Sequence, residues 1–273
     1  MMREPPGVSI VITVYNNASS ISELLDSLLL QEGPKEIVVV DSMSSDGTSD
    51  ILSRYAGENE EIKYFRIRCS RGGGRNIGVG KARYDFVAFT DGDTIADPEW
   101  IKSMRKFISL GYEMVIGKVL QVGNESFRTL NRVELIYDGY EVTAPSANLG
   151  YSKDLFVKLG GFDESFVTAE DIDLNIRCVK SGARIAVCDQ CIVMNRTRDT
   201  LHGVIKQAFW NGYGRRQLAM KHGKILRKLT SPSIFTGDYM SLFSVIYLVI
   251  YPAVKIVDNV GHTDIEKILD SSL

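Results

Sequence analysis

Phe86-Val-Ala-Phe-Thr-Asp-Gly-Asp93 begins as an apolar, aromatic run and ends in two acids. Its first half is long enough for one buried strand. Its second half sets Asp91 and Asp93 where that strand should end. In an open α/β sheet, ligands bind beyond the carboxyl ends of the strands. Two acids there are costly unless a cation or hydrogen-bond donors compensate them. A hard divalent ion takes carboxylate oxygens and keeps positions for phosphate oxygens. Gly92 lets the backbone turn so that both acids serve one ligand. The stretch therefore predicts a metal–diphosphate site. The competing reading is an acidic loop capping the next helix, since Asp97-Pro98-Glu99 has the form of a helix start.

Upstream, Val8-Ser-Ile-Val-Ile-Thr-Val14 is a β-branched run suited to a strand buried on both faces. Ser20-x-x-Glu23 reads as a capping box. Ile21, Leu24, Leu25, Leu28 and Leu29 then share one helical face, and Gly33-Pro34 stops the helix. Glu36-Ile-Val-Val-Val40 is a second strand with Asp41 at its carboxyl end. Strand, helix and strand at this spacing form a right-handed βαβ unit. Asp41 is thus expected on the same rim as Tyr15 and Asp91. Ser44-Ser-Asp-Gly-Thr48 is turn chemistry leading into a short helix, and Lys63–Ile67 is a third strand. Gly72-Gly-Gly-Arg-Asn76 opens a helix reaching about Ala82. Three glycines with Arg75 in the first turn suit phosphate held on backbone N–H groups; a flexible loop is the rival. It is not a Walker A loop, lacking Gly-Lys-Ser/Thr.

Downstream, Asp97 to Leu110 reads as a helix, Met114–Leu120 as a strand and Arg128 to Tyr137 as a helix crossing the sheet. Ser146–Tyr151 is expected as a short strand, and Ser152 caps a helix ending at Gly160-Gly161. Ala169-Glu-Asp-Ile-Asp-Leu-Asn-Ile-Arg177 opens another helix, ended by Gly182. Its acids Glu170 and Asp171 lie where the helix field favours a charged carboxylate; plain capping is the rival use. Arg184 to Val193 is the last strand, with Asn195 at its end.

The chain has 273 residues, 44% hydrophobic and 24% charged, with a net charge of −2. That suits one large α/β domain with an appendage and gives no global field for nucleic acid. Met1–Pro6 runs straight into a strand pattern, so no signal peptide is expected. A single Cys188-x-x-Cys191 pair is weak for zinc, and buried thiols in a reducing compartment are the expectation.

In order, Ser-Ile-Val-Ile-Thr-Val-Tyr-Asn16, Val-Asp-Ser-x-Ser-x-Asp-Gly-Thr48, Gly-x-x-Arg-Asn-x-Gly78, Asp-Gly-Asp93, Gly-Gly-Phe-Asp-Glu-x-Phe166 and Glu-Asp-x-Asp-Leu-x-x-Arg177 resemble the family-two glycosyltransferases. They cover about residues 8–215. The resemblance implies the GT-A fold, a Rossmann-like mixed α/β sheet flanked by helices, with a C-terminal helical appendage. It also implies transfer from a UDP- or GDP-linked sugar to an acceptor hydroxyl, with inversion and with Mg²⁺ or Mn²⁺. By position, Asp41 would contact the nucleotide base, and Tyr15, Asn16 and Arg75 would line the nucleotide pocket. Thr13, Arg71, Asn76 and Gly92 complete the donor set. Asp91 would lie near ribose and metal, and Asp93 would bind the metal. Asp171 would be the general base with Glu170 beside it, while Asn148 and Gly161-Phe162-Asp163 would face the acceptor. Where relatives often carry a His after the last strand, this chain has Asn195, which offers an oxygen but no imidazole. His202 is the alternative contact.

Between Thr200 and Gly237 there is no acid, while Lys206, Arg215, Arg216, Lys221, Lys224, Arg227 and Lys228 accumulate beside Phe209, Trp210 and Tyr213. Tyr239–Val254 is then almost wholly apolar, short of the about 20 residues a spanning helix needs. The division expected is 1–225 for the catalytic domain and 226–273 for the apolar segment. Three uses are open for that segment: an anionic membrane surface at the inner face of the cell membrane, docking on the catalytic domain, or a homodimer interface. Arg215 and Arg216 would alternatively hold the phosphate of a lipid-linked acceptor. Rival functions are a retaining transferase or polyprenyl-phosphate glycosyl synthase on the same fold, a nucleotidyltransferase, and a silent carbohydrate-binding module. The nucleotidyltransferase would want a Gly-rich loop where Tyr15-Asn16-Asn17 stands. The binding module would not need Asp91, Asp93 and Asp171 together.

Overall fold

The computed structural model describes residues 5–122, 134–196 and 201–223. It divides into two units, Met1–Gln121 with Val142–Arg196, and Val122–Glu141 with Thr197–Leu273. The first opens with β1 (Val8–Val14), α1 (Ile21–Leu29), β2 (Lys35–Asp41), α2 (Thr48–Glu58), β3 (Ile62–Arg66), α3 (Arg71–Lys81) and β4 (Phe86–Asp91). β5 (Thr94–Ala96), α4 (Trp100–Ser109) and β6 (Met114–Val122) follow. The second unit contributes a hairpin of β7 (Ile136–Tyr137) and β8 (Tyr140–Glu141). The first unit resumes with a 3₁₀ turn at Ser146–Asn148, β9 (Leu149–Ser152), α5 (Lys153–Lys158), α6 (Glu170–Lys180) and β10 (Ile185–Arg196). Helix α7 (Leu201–His222) belongs to the second unit.

The main sheet runs β3-β2-β1-β4-β9-β6-β10-β5. β3, β2, β1 and β4 are parallel, whereas β9 runs antiparallel to β4 and β6, and β10 to β5. The β-branched residues of β1 and β2 are buried on both faces, as central parallel strands require. Register then fixes the rim. Val14 stands opposite Asp41, and Thr13 opposite Asp91, so both acids end beside the same strand. Helix α1 buries Ile21, Leu24, Leu25 and Leu28 against this sheet, and α4 buries Trp100, Ile101 and Met104.

Four expectations change. The capping box is not formed: the Ser20 hydroxyl donates to the Gly92 carbonyl at 2.8 Å, tying the start of α1 to the Asp91–Asp93 turn. Ile136–Tyr137, expected in a helix, is a strand, because Asp138 and Gly139 both take positive φ (50° and 81°) and make a tight hairpin turn. Residues 128–133 of that expected helix lie outside the described residues. Ser146–Asn148 is a 3₁₀ turn, and the strand begins only at Leu149. Cys188 and Cys191 are joined by a disulfide rather than held as thiols. Residues three apart in a regular strand would be about 10 Å apart; here their Cα atoms are 5.3 Å apart, and Asp189 and Gln190 between them are exposed.

In α7, Phe209, Trp210 and Tyr213 stack edge to face with ring centroids 5.3 and 5.9 Å apart. Among the described residues, no helix is long and apolar enough to cross a membrane. The apolar run Tyr239–Val254, the 226–273 segment and the basic residues from Lys224 onward lie outside the described residues, as do the side chains of His202 and Lys206.

Candidate active site

Two loops close over the carboxyl ends of β1 and β2 by exchanging hydrogen bonds. The Asn16 amide donates to Ser44 Oγ at 2.9 Å, and Ser45 N–H donates to Asn16 Oδ1 at 3.0 Å. Asn17 and Ala18 amides donate to Thr48 Oγ1 and Asp46 Oδ2. Asn16 sits at φ 54°, a left-handed conformation that Asn tolerates. Tyr15 is left 63% exposed at the rim, an aromatic face open to a ligand ring. Asp46 is held below the ordinary carboxylate range: its slight burial raises it, but hydrogen bonds from Thr48 and Ala18 outweigh that.

Asp41, expected at the nucleotide base, lies beneath the Ser44 loop. Its carboxylate is fully buried. It accepts from Ser44 N–H at 2.8 Å, Ser49 Oγ at 2.6 Å and Tyr64 Oη at 3.1 Å. Burial pushes its pKa up, and these donors pull it down further, leaving it below the ordinary value. Asp41 shapes the loop that carries Ser44 and Asp46.

The glycines Gly72, Gly73 and Gly74 lie inside the first turn of α3, not in a loop before it. Ser70 Oγ already accepts the Gly73 N–H at 3.0 Å. A Cβ on Gly74 would come within 2.4 Å of Thr13 Cγ2, and one on Gly72 within 3.2 Å of Phe162 Cβ. The glycines therefore serve close packing of α3 on β1 and on the Phe162 segment. Gly92 is required for the same reason: its φ is not positive, but a Cβ would meet Asn17 and Val14 at 2.9 Å.

That packing carries Arg75 inside. It is 1% exposed, with Nη1 on Glu170 Oε1 at 2.8 Å and Nη2 on Asp91 Oδ1 at 2.7 Å. Phe162 lies 5.4 Å from its guanidinium. Burial alone would lower its pKa, but Asp91, Glu170 and Asp171 hold it charged and raise it. Arg75, expected to line the nucleotide pocket, links Asp91 to helix α6 from inside. Asn76 is likewise internal in function. Its Nδ2 donates to the Phe162 carbonyl at 2.9 Å, and its Oδ1 accepts the Phe162 N–H at 2.9 Å. Arg71, at the same helix start, stays exposed.

Helix α6 presents the two acids differently. Glu170 is 2% exposed and ion-paired with Arg75. Asp171 is half-buried and takes uncharged donors: Ser146 N–H at 3.1 Å on Oδ2 and Ile172 N–H at 2.8 Å on Oδ1. Burial and the neighbouring Glu170 raise its pKa above the ordinary carboxylate value, although Ser146 and Arg75 pull the other way. A carboxyl tuned upward in a crevice suits proton abstraction.

Asn148 and Phe162, expected to face an acceptor, are buried. Asn148 accepts from Trp100 Nε1 at 2.8 Å and donates to the Cys191 carbonyl at 2.8 Å, joining α4 to β10. Phe162 packs on Phe89 and Phe156. Residues given no individual role in the sequence reading, two of them members of the Glu-Asp-x-Asp-Leu-x-x-Arg177 motif, surround these acids. Ser146 orients Asp171. Asp173 is fully buried and pairs with Arg177 at 2.7 Å, whose Nη2 donates to the Gly161 carbonyl at 2.7 Å. The i,i+4 spacing of Asp173 and Arg177 was the available signal.

Register sets Asn195 near the Asp91–Asp93 turn. Asn195 pairs across the sheet with Thr94, the residue after Asp93. The Asp91 side chain is 35% exposed despite its bond to Arg75, so part of it reaches the surface. These are hard oxygen donors of the kind Mg²⁺ or Mn²⁺ takes. Among the described residues no group of three His, Cys, Asp or Glu could enclose a metal alone. The donor set fits an ion held by one or two carboxylates and completed by phosphate oxygens.

The family model for glycosyl transferase family 2 matches residues 9–156, and the chain belongs to that family. It is 27% identical over 247 residues to a pre-mycofactocin glycosyltransferase of Mycobacterium tuberculosis, covering 84% of this chain and 50% of that protein. The chain thus spans about half the length of that relative. The fold matches the mannosyltransferase PcManGT of Pyrobaculum calidifontis, solved with GDP-Man and Mn²⁺, at TM-score 0.66 and 18% identity, covering 99% of this chain and 80% of that one. It also matches S. aureus TarS 1–349 solved with UDP-GlcNAc, at TM-score 0.62 and 19% identity, over 94% and 77% of the two chains. The architecture is the GT-A fold.

Proposed function

We propose that this chain moves a sugar from a nucleoside-diphosphate sugar to an acceptor hydroxyl, by one displacement with inversion. The carrying observation is the division of labour at the start of α6. Glu170 is tied to Arg75 at 2.8 Å, while Asp171 is held by uncharged donors with its pKa raised. Asp171 takes the proton of the attacking hydroxyl. Tyr15, exposed above the zipped loops, offers a face to the nucleotide. Donors of this class are bound by structures of the same fold, UDP-GlcNAc in one and GDP-Man in another. Asp93, Asp91 and Asn195 would hold Mg²⁺ or Mn²⁺, which when bound offsets charge on the departing diphosphate. The acid-free basic stretch after Thr200 favours an acceptor or surface bearing negative charge.

The test is a transfer assay with UDP- and GDP-sugars, with the product's anomeric configuration read by NMR. Inversion is expected, and retention would contradict the single displacement. The pH dependence adds a second readout. kcat/KM should fall on acidification through an apparent pKa above the ordinary aspartate value of 3.8, because Asp171 must be ionised to act. Stability should move oppositely. A carboxyl whose folded pKa is raised favours the folded state when protonated, so its contribution fades as pH rises from 3.8 through the folded pKa. An acid limb at or below 3.8 would remove Asp171 from this role.

A further inference from the structure

We infer that Glu170 acts on the donor side: it neutralises Arg75 and so leaves Asp91 the negative charge that attracts a cation. The inference rests on the metal–nucleotide reading above. Arg75 lies buried between two carboxylates, 2.7 Å from Asp91 and 2.8 Å from Glu170. Among these three directly bonded groups, two negative charges and one positive leave one negative charge over, and only Asp91 reaches the surface, at 35% side-chain exposure against 2% and 3%. Were Glu170 uncharged, Arg75 would be ion-paired with Asp91 alone and would cancel its charge, with Asp171 acting on Arg75 only at longer range. In a partly buried site such a change acts strongly, because water screens little. Glu170 lies on the acceptor-side helix α6, next to the proposed base, yet its effect falls on cation and nucleotide binding. It is a positioning residue, acting through Arg75.

Glu170→Gln keeps the shape and an oxygen to accept from Arg75, so it isolates the charge. Titration calorimetry of UDP in the presence of Mn²⁺ should show about tenfold weaker binding than wild type, within the range for a partner behind a metal ligand. Binding of Mn²⁺ alone, followed by its paramagnetic resonance, should weaken in parallel. Glu170→Asp, which keeps the charge, should recover most of the affinity. The double variant Arg75→Met with Glu170→Gln removes both inner charges and restores the net negative charge. It should bind more tightly than Glu170→Gln alone, and if that single variant does not fold, the double should still bind within about tenfold of wild type. A Glu170→Gln protein that binds like wild type overturns the inference. So does a double variant that binds worse than the single, because a purely structural role predicts additive damage. If wild-type protein binds UDP equally with Mn²⁺ and with EDTA, the metal reading itself fails and takes this inference with it.

Discussion

Asp171→Asn should lower turnover about 10²- to 10⁴-fold, the usual worth of a positioned base, or about 3 to 5 kcal/mol of barrier. The substitution keeps the shape, and its one amide oxygen accepts from either Ser146 N–H or Ile172 N–H, at the loss of the other bond. Beyond that one bond, what it removes is basicity. Donor binding, measured separately, should change little, so the loss should appear in kcat. The folded protein should tolerate the change, because burial and Glu170 already disfavour the charged form of Asp171. Turnover near the wild-type rate, or a failure traced wholly to lost donor binding, would end the assignment.

Arg75→Met should destabilise the protein by about 3 to 5 kcal/mol, the cost of leaving buried charges without their partner. Glu170 is 2% exposed and would lose its counter-charge, with Asp171 adjacent in the chain. The contact with Phe162, 5.4 Å from the guanidinium, is lost too. Denaturant unfolding should show a lower midpoint with little change in slope. Removing the acid as well should recover part of that loss, since replacing both members of a buried pair is far milder than removing one. Wild-type stability for the single variant would mean the network contributes little to folding.

The parallel core and the rim were legible because buried strands write themselves as β-branched runs and their ends carry the polar residues. Val8–Val14 and Phe86–Asp91 needed no partner to be read, and their register placed Asp41 and Asp91 beside one strand. The start of α6 was legible as an acidic helix start, though not which acid did what. That depends on Arg75, 95 residues away from Glu170, and on close-packed glycines that bring it inside. Gly72–Gly74 has the composition of a phosphate loop but the geometry of a packed helix turn. Asn148 and Asn76 carry polar side chains suited to ligands, yet their hydrogen bonds are used within the fold. The Asp138-Gly139 turn was present in the sequence as a hairpin signal, and the mixed residues before it obscured it. The Cys188–Cys191 disulfide needed a close Cα approach that strand periodicity does not announce.

The central claim is that the Asp91–Asp93 turn binds a nucleoside diphosphate through a divalent cation. Calorimetric titration of UDP and GDP into the protein tests it most directly, with Mn²⁺, with EDTA, and with Mn²⁺ in Asp93→Ala. One of the two nucleotides should bind the wild type with Mn²⁺, and binding should weaken sharply in the other two conditions. Equal binding in all three, or none to the wild type, would contradict it.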